Sequence, residues 1–283
     1  MRVSRDARAE DDGYRSALVP GIHASADASR LAEEIAFAHG RLLALGAEPP
    51  GLYGEVRALA AEDLEQATWT CFLIAYLSPL EGDDPFAGIR TALAGARDGN
   101  AYADGELGDL DGIPLGPRTS HDPARGANTL LAYRHWAERS GGQAQAFEGD
   151  PEWSPERRFE RCFERLALAG FGRVGRYDLL IMLGRLGLYG LRADSLHFTS
   201  ASDPSAPDPA TLAAKRMFAI GDPLILGRRA HALAEAIPVP VESLDLALWN
   251  WSPPAPGVRA TLGFPSETCD LDTLERGREA LEL

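Results

Sequence analysis

A carboxylate about two dozen residues beyond a glycine-rich turn is the arrangement in this chain with the clearest chemical use. The turn is Leu168-Ala169-Gly170-Phe171-Gly172, and the carboxylate is Asp194, within Leu191-Arg192-Ala193-Asp194-Ser195-Leu196-His197-Phe198. Two glycines around a hydrophobic residue let the chain reverse tightly, because glycine accepts positive φ and close backbone approach. The free N–H groups of the next helix then point outward and form a seat for a phosphate. The same glycines also suit a plain helix–helix turn. A fixed carboxylate can offset positive charge developing on a sugar, or deprotonate an attacking water. A second candidate is Asp222 in Ile220-Gly221-Asp222-Pro223, although Asp before Pro also caps a helix well.

Other combinations offer less. His197 stands three residues after Asp194, where it could touch a substrate or serve structure alone, and Asp245 reads as a cap or a core-facing polar residue. His121, His135 and His231 lack ligand spacing, so no metal is expected. Phosphate-loop and dinucleotide glycine fingerprints are missing, as is a nucleophile elbow, and no cofactor is expected. Cys71, Cys162 and Cys269 are too few and too scattered for a disulfide framework or a four-cysteine cluster. Lys215 is the only lysine, so a single side-chain amine is available for Schiff-base chemistry.

Helical patterns position these groups. Apolar residues at three-to-four spacing predict a buried helix over 62–78, and others over 27–45, 84–96 and 128–139. Ser154-Pro155-Glu156 supplies a cap, a first-turn proline and a favourable acid, opening a helix that breaks at Gly170. Further helices are expected over 175–186, 210–219, 223–236 and 241–251. Residues 1–25 read as poorly ordered, 99–126 as a long loop and 141–151 as a linker. Alternating strand patterns are lacking, and the fold class expected is all α.

The 283 residues, 45% hydrophobic and 25% charged, suit a globular protein of one or two domains. Apolar stretches are too short to span a bilayer, and the charged start has no apolar segment behind it, so no membrane association, no signal peptide and a cytoplasmic location are expected. A net charge of −14 opposes indiscriminate nucleic-acid binding. Its distribution is uneven: Asp98, Asp104, Glu106, Asp109 and Asp111 crowd one loop, whereas residues 157–192 hold eight arginines against Glu160, Glu164 and Asp178. That run is either solvated surface balanced elsewhere or a phosphate-facing surface.

Taken in order, these segments resemble the helix-hairpin-helix DNA glycosylase superfamily, whose Leu-Pro-Gly-Val-Gly turn precedes a helix and then an aspartate before a short hydrophobic helix. Phe72–Pro79 with Asp84–Leu93 is similar to that family's early helix pair, and Asp208–Trp251 to its C-terminal helices. The likeness spans roughly residues 55–252. Ala169 replaces the usual proline, Ser78-Pro79 replaces Ser-Gln, and Arg173 or Val174 stands where bifunctional members hold lysine. Tyr76–Leu80, Ala214–Phe218 and Asp245–Trp249 resemble a divergent branch, the alpha-glutamyl/putrescinyl thymine pyrophosphorylases and a related phage-defence glycosylase.

This resemblance implies a two-lobed helical fold with an extension over 1–54, a glycosylase-like domain over 55–252 and a tail over 253–283. It implies a monofunctional DNA N-glycosylase whose partner is DNA containing modified bases. Asp194 would be catalytic, with Asp222 the second choice. Gly170, Phe171, Gly172, Arg173, Gly175 and Arg176 would contact DNA. Phe72, Tyr76, His197 and Trp249, with Phe198, would line a base pocket, although each could instead be core. The target would be a bulky hypermodified phage pyrimidine, and the loop 99–126 with Asn100 and Asn128 would offer polar contacts to an attached sugar. The alternatives are a base-modifying pyrophosphorylase-type enzyme, a housekeeping repair glycosylase, and a non-catalytic helical DNA-binding module.

Overall fold

The computed structural model describes residues 9–94, 110, 112–199, 208–253 and 257–283. Its regular elements are the helices α1 (Ser25–Ala47), α2 (Leu52–Leu59), α3 (Leu64–Leu77), α4 (Ala87–Ala94), α5 (Gly126–Glu138), α6 (Gln143–Glu148), α7 (Pro155–Arg165), α8 (Arg173–Arg185), α9 (Pro209–Phe218), α10 (Pro223–Ala236), α11 (Ser243–Trp251) and α12 (Leu271–Ala280). No strand occurs among the described residues, and the protein is all α. None of their helices is long and apolar enough to cross a membrane.

The chain packs as two compact units. One comprises Ala44–Ala193 with Ala260–Pro265 and contains the glycine turn; the other comprises Met1–Leu43, Asp194–Arg259 and Ser266–Leu283 and contains Asp194. This division runs across the sequence boundaries at 54 and 252.

In the hairpin unit, α3 is apolar around its whole circumference and is therefore buried on every side. Helices α2, α4, α6 and α8 pack against it. Asp63 caps its start, accepting the Gln66 N–H at 2.9 Å. It stops at Ser78, because the residue before Pro79 is disfavoured in helical conformation. An aromatic cluster grows from this helix. The Phe72 ring stacks on Tyr133 at 3.8 Å between centroids and on Tyr76 at 5.6 Å, and meets Phe171 edge-on at 5.2 Å. Such ring pairs contribute about 0.5–1.5 kcal/mol each beyond burial. Helix α7 opens as its sequence dictates, with the Ser154 side chain accepting the Arg157 N–H and Pro155 in the first turn.

In the carboxylate unit, α9 packs on α10 and α11. Trp251 Nε1 donates to the Asp27 carbonyl at 2.9 Å. Buried Glu34 accepts from Asn250 Nδ2 at 3.0 Å and from the Arg259 guanidinium. The described part of 1–25 is held in place rather than loose: Val19 and Ile22 are buried, and Tyr14 donates to the Leu281 carbonyl at 2.6 Å.

Three short helices lie where the sequence reads as irregular. Helix α6 falls within 141–151, where glycines at 141, 142 and 149 bracket a single short turn and mimic a linker. Helix α2 follows Pro49-Pro50, and α12 is mostly charged, burying only Thr273 and Gly277.

Candidate functional site

The glycine turn joins α7 to α8 as a tight hairpin, and its glycines do three different jobs. Gly170 has φ +80, a left-handed conformation, and a Cβ there would collide with Thr129 Oγ1. Thr129, from the first turn of α5, donates to the Ala169 carbonyl at 3.0 Å and so pins the turn from beneath. A Cβ on Gly175 would collide with Ser120 Oγ and the Phe171 ring. Gly172 is the exposed one: it precedes α8, no side chain caps that helix, and a Cβ there meets nothing within 4 Å. The N–H groups of Val174 and Gly175 have no acceptor among the described residues, so the start of α8 is an open donor site. Gly170→Ala should cost about 2–4 kcal/mol through the strained backbone and the clash with Thr129. Gly172→Ala should lie within about 0.5 kcal/mol of wild type. Urea unfolding midpoints of the two variants check this contrast.

Phe171 is buried in the aromatic cluster beneath the turn, so it anchors the hairpin on α3 rather than facing outward. Phe72 and Tyr76 form the same floor and are fully buried. Tyr76 Oη bonds His121 Nδ1 at 2.9 Å. Burial pushes the Tyr76 phenol up to about 12, so it stays protonated at neutral pH.

The segment 118–121, within the loop expected over 99–126, runs beside this floor. Ser120 N–H and Thr119 Oγ1 both donate to the Tyr76 carbonyl, at 2.9 and 3.1 Å. Arg118 is buried and donates twice to Asp178 of α8, at 2.8 Å each. This clamp presses Ser120 against the first turn of α8. Nothing periodic in 112–125 announces it, and Arg118 is one of two arginines there, with Arg125, against the single acid Asp122.

Most of the arginine run is committed internally. Arg158 donates to the carbonyls of Glu148, Asp150 and Gly190, Arg161 pairs with Glu164, and Arg192 pairs with Glu156. Arg173 is buried, with its guanidinium 5.5 Å from the Tyr177 ring centroid. Arg176 lies over Phe163 at 4.3 Å and donates to the Phe163 carbonyl at 3.0 Å; burial and then the nearby Arg173 charge lower its pKa. Asn128 is exposed on the first turn of α5, whereas Asn100 and the acids Asp98, Asp104, Glu106, Asp109 and Asp111 lie outside the described residues.

In the carboxylate unit, Asp194 is exposed, and its carboxylate makes no hydrogen bond or ion pair among the described residues. Its carbonyl accepts from His231 Nε2 of α10 at 2.9 Å. At the other end of the segment, Thr199 N–H donates to Thr211 Oγ1 of α9 at 3.1 Å. Residues 195–199 are not helical, unlike the short helix that the family resemblance implies after Asp194. His197 has φ 48, rare for a residue with a side chain, and its N–H donates to Ser195 Oγ at 3.1 Å. Trp249 is buried in α11, and Asp245 is buried in the first turn of the same helix. Asp222 caps α10, one oxygen accepting from Leu224 and Ile225 N–H at 2.9 and 3.2 Å. Asp208 is a buried cap on α9 that also takes the Thr211 hydroxyl. Among the described residues, no cluster of His, Cys, Asp and Glu could hold a metal ion.

The fold is thus all helical, with an open helix start in one unit and an uncommitted carboxylate in the other. Residues 118–256 match the model of the family described as alpha-glutamyl/putrescinyl thymine pyrophosphorylase clade 3, just under half of the chain. That span begins at the Arg118 clamp and includes the hairpin, Asp194 and α9 to α11, and it bears out the resemblance to this branch. No curated protein and no solved structure matches the chain.

Proposed function

We propose that the protein is an enzyme of modified-thymine chemistry on DNA, and specifically a glycosylase that removes a bulky hypermodified pyrimidine during defence against phage. The observation carrying this reading is the family match, because one continuous stretch contains both the hairpin and Asp194. In this reading the open start of α8 at Gly172 receives a backbone phosphate. The target base leaves the stack. Water adds to the sugar carbon as the base departs with its electron pair, while the Asp194 carboxylate offsets the positive charge on the sugar or takes the water's proton. Asp194 suits this role better than Asp222, whose carboxylate already serves two backbone N–H groups.

The family's description favours a second reading, a pyrophosphorylase-type enzyme that alters hypermodified thymine without releasing it. Product analysis separates the two. The glycosylase reading expects free base and an abasic site in an intact strand. Strand cleavage through an amine would require Lys215, which lies on α9, outside the hairpin. Borohydride should therefore trap no protein–DNA adduct. Bases that change mass while still attached to DNA would establish the second reading, and an adduct lost on Lys215→Arg would establish a lyase step.

A further inference from the structure

One basic surface in the hairpin unit is only partly spent on internal contacts. Trp153, Arg157, Arg161 and Arg165 follow one another at four-residue spacing, which places them along a single ridge of α7 and the turn before it. The half-exposed Trp153 indole rests on Gly149, where a Cβ would lie 2.6 Å from its ring. The Arg157 and Arg165 guanidiniums stand over that indole at 5.9 and 5.5 Å from the centroid. Both arginines are exposed, and neither guanidinium has a hydrogen-bond or ion-pair partner among the described residues. Of the three acids of α7, Glu156, Glu160 and Glu164, two are engaged elsewhere: Glu156 with Arg192 and Glu164 with Arg161. The ridge ends at Arg165, from which the chain runs directly into the hairpin turn.

We propose that this ridge is a second seat for DNA, with Arg157 and Arg165 each holding a backbone phosphate that flanks the one at Gly172. The inference rests on the reading that the protein acts on DNA. Charge complementarity carries it: in a chain of net charge −14, the two uncommitted guanidiniums of Arg157 and Arg165 are where a polyanion is tolerated. The indole holds the two cations in place through cation–π contact, which reduces the ordering needed when a phosphate arrives. An acidic protein segment is the competing occupant. Phosphates on a regular polymer fit a row of like charges at fixed helical spacing better than side chains of irregular spacing do.

The test is a salt titration of binding between the full chain and a fluorescein-labelled DNA duplex, read by anisotropy from about 50 to 200 mM salt. The variant Arg157→Gln/Arg165→Gln should leave the unfolding midpoint unchanged and make the slope of log affinity against log salt shallower by about 2. Gly172→Asp, which puts a carboxylate into the hairpin seat, should weaken binding independently. Loss on Gly172→Asp with an unchanged slope in the arginine variant would overturn the ridge and leave the hairpin reading standing. A wild-type chain that does not bind duplex would overturn both. If poly-glutamate binds and is lost on the arginine substitutions while the DNA slope is unchanged, the ridge serves an acidic protein partner and the proposal fails.

Discussion

Asp194→Asn should lower turnover by about 100- to 1000-fold while leaving the fold as stable as wild type. The substitution is nearly isosteric, and the carboxylate has no partner among the described residues, so nothing structural depends on its charge. The segment carrying it is held through its backbone, by His231 on the Asp194 carbonyl and by Thr211 on the Thr199 N–H. Replacing the side chain leaves both ties in place. In the proposed reaction, what is lost is the negative charge that offsets a sugar becoming cationic as the base departs. Asp222→Asn is the matched control. Asparagine caps helices about as well as aspartate, so α10 should persist and turnover should change little. Retained turnover in Asp194→Asn together with loss in Asp222→Asn would move the active carboxylate to the later position.

The largest stability effect is expected at the Arg118–Asp178 clamp. The Arg118 side chain is fully buried, and that of Asp178 is only 13% exposed. Asp178→Asn removes the carboxylate charge to which buried Arg118 donates, and Arg118→Met removes the guanidinium from which Asp178 accepts. Each should cost about 3–5 kcal/mol. The double variant Arg118→Met/Asp178→Leu removes both charges together and should recover most of that loss, because a buried ion pair is replaceable by packed apolar groups. Chemical unfolding of the four proteins measures the coupling directly. Equal, additive losses would show that the pair is incidental to the fold. The clamp also orders 118–121 against α8, so on the proposed function the single variants should weaken DNA binding even below their unfolding midpoints.

The sequence was most legible where one local rule dominates. Helix α3 is announced by apolar residues at helical spacing, α7 by Ser154-Pro155, and the hairpin by Gly170 and Gly172. It was least legible where a side chain's partner is remote. Arg118 looks like any loop arginine until Asp178 is brought beside it. Conversely, Asp178, one of the three acids counted against the arginine run, is committed to the buried Arg118. The run itself overstated the free charge, because a count of residues does not register backbone carbonyls, and Arg158 and Arg176 are spent on those. Phe171 read as part of an outward-facing motif, yet the hydrophobic residue between two hairpin glycines is what fastens the turn to the core. The spacing from Gly170 identified Asp194 as a candidate, but it could not foretell that the segment 194–199 is irregular and tied to α9 and α10.

The most direct test of the central claim is mass spectrometry of free bases released by the full chain from three DNAs. These are phage DNA carrying a hypermodified pyrimidine, the same phage DNA grown without the hypermodification, and unmodified plasmid. A host enzyme must spare its own chromosome, so productive binding should require the added group. The account predicts release of the modified base from the first DNA alone, and none from any DNA with Asp194→Asn. Equal release from all three, or release only of deaminated, alkylated or oxidised bases, would contradict it and make the protein a general repair enzyme.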